Sequence, residues 1–160
     1  MATYITHAGY EKIRQEIETI QKQLRGEIAR KVAEAASQGD LSENAEYDAI
    51  KEKQRMLGNR LEELSRLIQG SEIIEMMDLP EDLVTVGKKV SLKNLDTGET
   101  DVYTILGPVE SDWENNVISY ETPIARQLIL KKEGDEVEIR IPSGTIRYRI
   151  EKIEKFQSDS

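Results

Sequence analysis

The sequence predicts an α+β protein in two parts. Residues 1–77 read as an antiparallel α-helical coiled-coil hairpin, and residues 78–160 as a small, mostly antiparallel β domain with one helix against it. Three observations predict this. Apolar residues of the first half recur at helical spacing and that half contains no proline; those of the second half alternate; and MMDLPED at 76–82, with Pro80, interrupts both patterns.

The first helical stripe runs through Ile13, Ile17, Ile20, Leu24, Ile28, Val32 and Ala35. Its steps are four, three, four, four, four and three, a heptad seam carrying one extra residue. From Tyr47 the stripe resumes at Ile50, Leu57, Leu61, Leu64 and Ile68, with Gln54 in the one polar seam position. Between the stripes lies only SQGDLSEN, so the helices must fold back on each other to bury their apolar faces. About 30 residues per limb make an arm about 45 Å long. Gly26 and Gly58 each weaken a helix by about 1 kcal/mol relative to alanine, and either close packing or bending would account for them.

In the second half, residues 86–95, 100–106, 116–121, 135–141 and 145–153 have strand-like alternation and β-branched content. Asp96–Thr97–Gly98 and Pro142–Ser143–Gly144 supply turns. A short helix over 122–129 is expected, with Thr122 as N-cap and Pro123 at the first helical position. Trp113, Tyr103, Tyr120, Tyr148 and Phe156 fit the core of this domain better than an aromatic ligand pocket.

Composition narrows the function. The 160 residues carry 22 Lys+Arg against 31 Asp+Glu, a net charge of -9, which argues against unaided binding of bare nucleic acid. Without cysteine there is no disulfide, thiol nucleophile or thiolate metal site. A single histidine, His7, excludes a multi-histidine metal centre and is expected to cap the first helix or lie in solvent. No apolar run approaches the ~18 residues of a membrane span. The N-terminus lacks the pattern of a signal peptide, and a cytoplasmic location is expected.

The chemistry-bearing segment is residues 39–47, GDLSENAEY, where the hairpin reverses. Gly39 can end the first helix at positive φ. Asp40 and Glu43, three apart, fit a near-capping box at the start of the second helix. They also form an exposed carboxylate pair at the far end of an arm. Such a pair binds Mg²⁺ weakly by itself, yet it could complete a metal site in another molecule's active centre. The two readings are compatible.

The stretch GDLSENAEYDAIKEKQ (39–54) resembles the signature of the bacterial Gre transcript-cleavage factors, particularly the GreA type. A second stretch, TPIARQLILKKEGDEVEIRIPSG (122–144), is similar to that family's C-terminal region, and the likeness covers nearly the whole chain. The resemblance implies a coiled-coil arm and a globular domain similar to the FKBP fold. It implies binding to bacterial RNA polymerase at its secondary channel, with the arm tip reaching the active site of a backtracked complex. There Asp40 and Glu43 would help hold Mg²⁺ and the attacking water, and the polymerase would hydrolyse the nascent RNA near its 3′ end. The chain would then be an accessory factor without turnover of its own, binding as a monomer.

By the same resemblance, Ser42 and Asn44 are candidate contacts to RNA or polymerase, and Ala45 and Tyr47 would pack the tip. Lys51, Lys53 and Arg55 offer a modest basic patch, or else ordinary solvated helix surface. Residues 35–38 read Ala-Ala-Ser-Gln, without the arginine some relatives place before the tip, which favours the GreA over the GreB type. Pro123, Ile124, Ala125 and Arg126 match the segment near the polymerase-docking surface. Three other readings stay open: a non-cleaving channel inhibitor, a coiled-coil adaptor, and a prolyl isomerase.

Overall fold

The structure, a computed structural model, describes residues 3–37 and 45–157. The chain divides into two compact units, Tyr10–Gly70 on one side and Met1–Gly9 with Ser71–Ser160 on the other. The chain is α+β, a helical hairpin followed by a curled sheet.

The hairpin unit begins within α1 (His7–Gln23), continues through a π-helical turn at Leu24–Ile28 into α2 (Ala29–Ala36), and returns as α3 (Ala45–Gln69). The π turn falls where the apolar stripe carries its extra residue. The Leu24→Ile28 step is four where the heptad pattern would have three. Widening one turn absorbs the surplus residue and keeps the stripe on one face. Accordingly Ile13, Ile20, Ile28 and Ala35 are buried, and Ile17, Leu24 and Val32 between them are half-buried. On α3 the seam is half-buried throughout, Gln54 included, and fully buried at Leu64. Arg60 of α3 pairs with Glu16 of α1 at 3.1 Å, the register of an antiparallel pair. A Cβ built on Gly26 or Gly58 would have open space around it, so close packing accounts for neither glycine.

The second unit is a five-stranded sheet in the order β5-β4-β3-β7-β6. Its strands are β3 (Lys88–Asn94), β4 (Thr100–Leu106), β5 (Val117–Ser119), β6 (Glu136–Ile141) and β7 (Gly144–Lys155). All pairings are antiparallel except β4 with β5. A register shift at Ser91/Leu92 leaves Glu151 of β7 unpaired, and such a bulge bends the long strand. Helix α4 (Pro123–Leu128) lies against β6. The inward residues Val90, Leu92, Ile105, Ile118, Ile139 and Ile150 pack with Ala125 and Leu128 of α4 into one core.

Two elements had no sequence signal. β1 (Thr3–Ile5) and β2 (Ser71–Ile73) pair in parallel, with Thr3 opposite Ser71 and Ile5 opposite Ile73. Both belong to the unit that holds the large sheet, so residues 3–9 and 71–77 contribute to it, although the boundary expected after residue 77 groups them with the hairpin. Gly107 makes the approach of β1 possible, since a Cβ there would stand 2.0 Å from the Tyr4 carbonyl oxygen.

Candidate functional site

The first limb ends at Ser37, whose amide donates to the carbonyls of Ala33 (3.1 Å) and Glu34 (3.2 Å) and whose hydroxyl donates to Glu34 O at 2.7 Å. The second limb starts at Ala45 with Glu46 and Asp48 exposed in its first turn, a placement the helix dipole favours. Tyr47 is half-buried and Ala45 exposed, so of the two expected packing residues only the tyrosine is placed to pack. Asp40, Ser42, Glu43 and Asn44 lie outside the described residues.

Beyond the tip, Lys51, Lys53 and Arg55 are all exposed on α3. Arg55 is engaged by Glu52, with Nε 3.0 Å from its carboxylate, which raises the guanidinium pKa and lowers that of the acid. Lys51 donates to the neutral Gln54 side chain at 2.9 Å. Lys53 stands near Glu27, whose pKa is lowered first by Lys31, bound at 2.7 Å, and further by Lys53. Two of the three cations therefore face acids of the arm itself, and among the described residues Lys51 forms no ion pair. Among the described residues no group of three or more His, Asp or Glu is arranged to hold a metal ion.

The second candidate surface surrounds α4. Thr122 caps the helix as expected, its Oγ1 accepting from Ala125 N at 3.3 Å and donating to Ser119 O at 2.8 Å. Gln127 ties the helix to edge strand β6, donating to Arg140 O at 3.2 Å and accepting from Arg140 N at 2.9 Å. Pro123 and Arg126 are exposed and Ile124 is half-buried, whereas Ala125 is wholly buried in the core. Ala125 thus positions the helix, and the other three residues offer surface.

After α4 the chain turns through Leu130, a residue the sequence reading passed over. It is 64% exposed and takes φ +68°, in the left-handed region. That region costs a residue other than glycine about 1–2 kcal/mol. Three backbone hydrogen bonds hold it there: Leu130 N to Val84 O at 2.8 Å, Val84 N to Lys131 O at 2.8 Å, and Lys131 N to Leu128 O at 3.1 Å. Propensity cannot reveal such a site, because a leucine at this position in the sequence simply extends an apolar run.

Tyr148 lies in the sheet core, with Tyr103 and Tyr120 packed against the same cluster. Tyr148 is buried and donates to Asp101 at 2.9 Å, and Tyr120 meets Tyr4 edge-on with ring centroids 5.2 Å apart. Trp113, expected in the core, is 71% exposed because it sits on a 3-10 turn (Trp113–Asn115) outside the sheet. His7 has an exposed side chain, and Thr6 is the cap of α1, with its hydroxyl accepting from Gly9 N at 3.0 Å.

Comparison with known proteins gives this arrangement its context. Residues 3–73 match the model described as transcription elongation factor, N-terminal, and residues 79–155 match that described as transcription elongation factor, GreA/GreB, C-term. Transcription elongation factor GreA of Thermosipho africanus is 42% identical over 147 residues, covering 92% of this chain and 93% of that one. The chain belongs to the GreA/GreB family of transcription elongation factors. GreA of Chloroherpeton thalassium is 39% identical over 148 residues, covering 92% of this chain and 94% of its own. The crystal structure of GreA factor homolog 1 of Thermus thermophilus is 21% identical, covers 96% of this chain and 99% of its own, and superposes with a TM-score of 0.43. No helix of the described residues is long and apolar enough to cross a membrane.

Proposed function

We propose that this elongation factor works on RNA polymerase stalled in a backtracked state, entering its secondary channel arm first and stimulating hydrolysis of the nascent RNA near its 3′ end. The observation that carries the reading is the likeness to GreA factors over 92% of the chain, with the acidic segment falling between two antiparallel limbs. The factor is an accessory to the polymerase's own active site and has no turnover alone.

In this reading Asp40 and Glu43 are delivered by the hairpin. Two carboxylates are the hard oxygen donors that Mg²⁺ takes, and with ligands supplied by the polymerase they would hold the ion. The chemistry that Mg²⁺ would supply there is polarisation of a phosphate oxygen and a more acidic water. The carboxylates orient the attacking water, and Ser42 and Asn44 contact RNA or polymerase beside them. Pro123, Ile124 and Arg126 dock the globular unit on the protein rim of the channel. Lys51 is the cation of the α3 group best placed to touch RNA, since Lys53 and Arg55 already face Glu27 and Glu52.

The test uses a backtracked elongation complex with end-labelled RNA and Mg²⁺, comparing wild type with Asp40→Asn/Glu43→Gln. Asparagine caps a helix about as well as aspartate, so the fold is retained and only the charge is lost. Rapid release of 3′ fragments by wild type, with at least a hundredfold loss in the double variant, is expected. Equal cleavage by both would reduce the acids to helix caps, and absence of cleavage with retained binding would make the chain a channel inhibitor.

A further inference from the structure

Leu130 combines two costs that folding alone does not require. Its backbone is held in a region that glycine would occupy freely, and its side chain is 64% exposed to water. Strain that the surrounding structure over-determines marks a position selected for something other than stability. Two hydrogen bonds fix residues 130 and 131 to Val84 and a third closes the turn from Lys131 to Leu128, leaving the leucine on a rigid base.

Its surroundings define the kind of surface it fits. Arg126, on α4, and Lys131, the next residue, are exposed and form no ion pair among the described residues. Elsewhere in the same unit Arg147 and Arg149 pair with Asp96 and Glu136. Lys132 differs, because it shares a cavity of about 420 Å³ with Glu81, Asp82 and Glu133. In a chain of net charge -9, an exposed apolar side chain with Lys131 next to it in the chain and Arg126 four residues before it, neither paired among the described residues, is complementary to a protein patch that is apolar at its centre and acidic at its edge. An aliphatic side chain offers no stacking face to a base, which favours protein over RNA as the occupant.

We infer that Leu130, rimmed by Arg126 and Lys131, is an apolar anchor that seats the globular unit on an acidic-edged protein surface of RNA polymerase. This rests on the polymerase reading above and adds to it a residue that sets affinity without taking part in cleavage. The strained turn keeps the leucine pointing outward before the partner arrives, so little freedom remains to be lost on docking.

Leu130→Gly separates anchor from scaffold, because it removes the side chain and the backbone strain together. Its melting temperature is expected to rise while affinity for RNA-free core polymerase falls roughly tenfold, the scale of one buried leucine. In the cleavage assay the half-saturating factor concentration should rise by the same factor, with the rate at saturation unchanged. Leu130→Asn, which also tolerates the left-handed region, should lose affinity equally, and Leu130→Met should keep most of it. Unchanged affinity in Leu130→Gly and Leu130→Asn overturns the anchor and leaves the cleavage reading intact. An affinity loss seen only when RNA is present assigns the contact to RNA and overturns it as well. If wild type neither binds core polymerase nor stimulates cleavage, the polymerase reading itself fails and the anchor falls with it.

Discussion

Glu110 receives the amide of Thr6 at 2.6 Å and its hydroxyl at 2.5 Å, across 104 residues of sequence. Gly9 leaves room for that carboxylate, since a Cβ on it would lie 2.8 Å from Glu110 Oε2. Replacing Glu110 with alanine strands a buried donor, and a loss of about 2 kcal/mol in denaturant unfolding is expected. Tyr148 gives a pH signature. Burial, then the hydrogen bond to Asp101 and the nearby Asp101 charge, push its phenol well above the ordinary value of 10.0. The unfolded chain therefore loses this proton first, and stability falls as pH rises beyond about 10. Tyr148→Phe should flatten that fall, measured as the slope of unfolding free energy against pH between about 9 and 11. Local signals such as Thr122, Pro123 and the turn at 96–98 were legible because each acts on its neighbours. Thr6 and Glu110 were not, because no spacing relates residues so far apart.

The hairpin shows how far periodicity reaches. The extra residue in the stripe was legible as a stutter, and the structure spends it in the Leu24–Ile28 π turn. Deleting Gly26 should restore alternating steps of three and four and leave one uninterrupted helix. An unfolding free energy higher by about 1 kcal/mol is expected, since an interior glycine goes with the π turn. Gly58→Ala, with open space at its Cβ, should gain a similar ~1 kcal/mol, and thermal unfolding followed at 222 nm checks both. A lower melting temperature for the deletion would mean that the turn serves the packing rather than the count. Strands β3, β4, β6 and β7 matched their alternation to within a few residues. β1 and β2, three residues each, are too short to carry a period, so only the tertiary pairing reveals them.

At the scale of the molecule the two units have unequal cores. The sheet unit encloses a continuous cluster around Val90, Leu92, Ile105 and Ile150, all fully buried, whereas the hairpin buries a single seam. Hydrogen exchange should accordingly be slowest in β3 and β7 and fastest in α2 and the first turns of α3. Tyr4 packs against Ile74, Val86 and Leu106, so residues 78–160 expressed alone should expose this cluster and melt below the intact chain. The candidate site divides along the same line. Its acids are proposed from a local motif and lie outside the described residues, whereas Leu130 left no mark in the sequence because its meaning lies in a backbone angle. The parallel pairing of β1 with β2 has one more consequence. The chain leaves the sheet unit and comes back to it through adjacent strands, so the hairpin is a detour whose entrance and exit are stitched together. Such a detour can be cut to length: removing one seven-residue repeat from each limb would shorten it by about 10 Å and leave the stitched ends alone. Limb length is thus an adjustable dimension of this scaffold, set separately from the strands that close the detour.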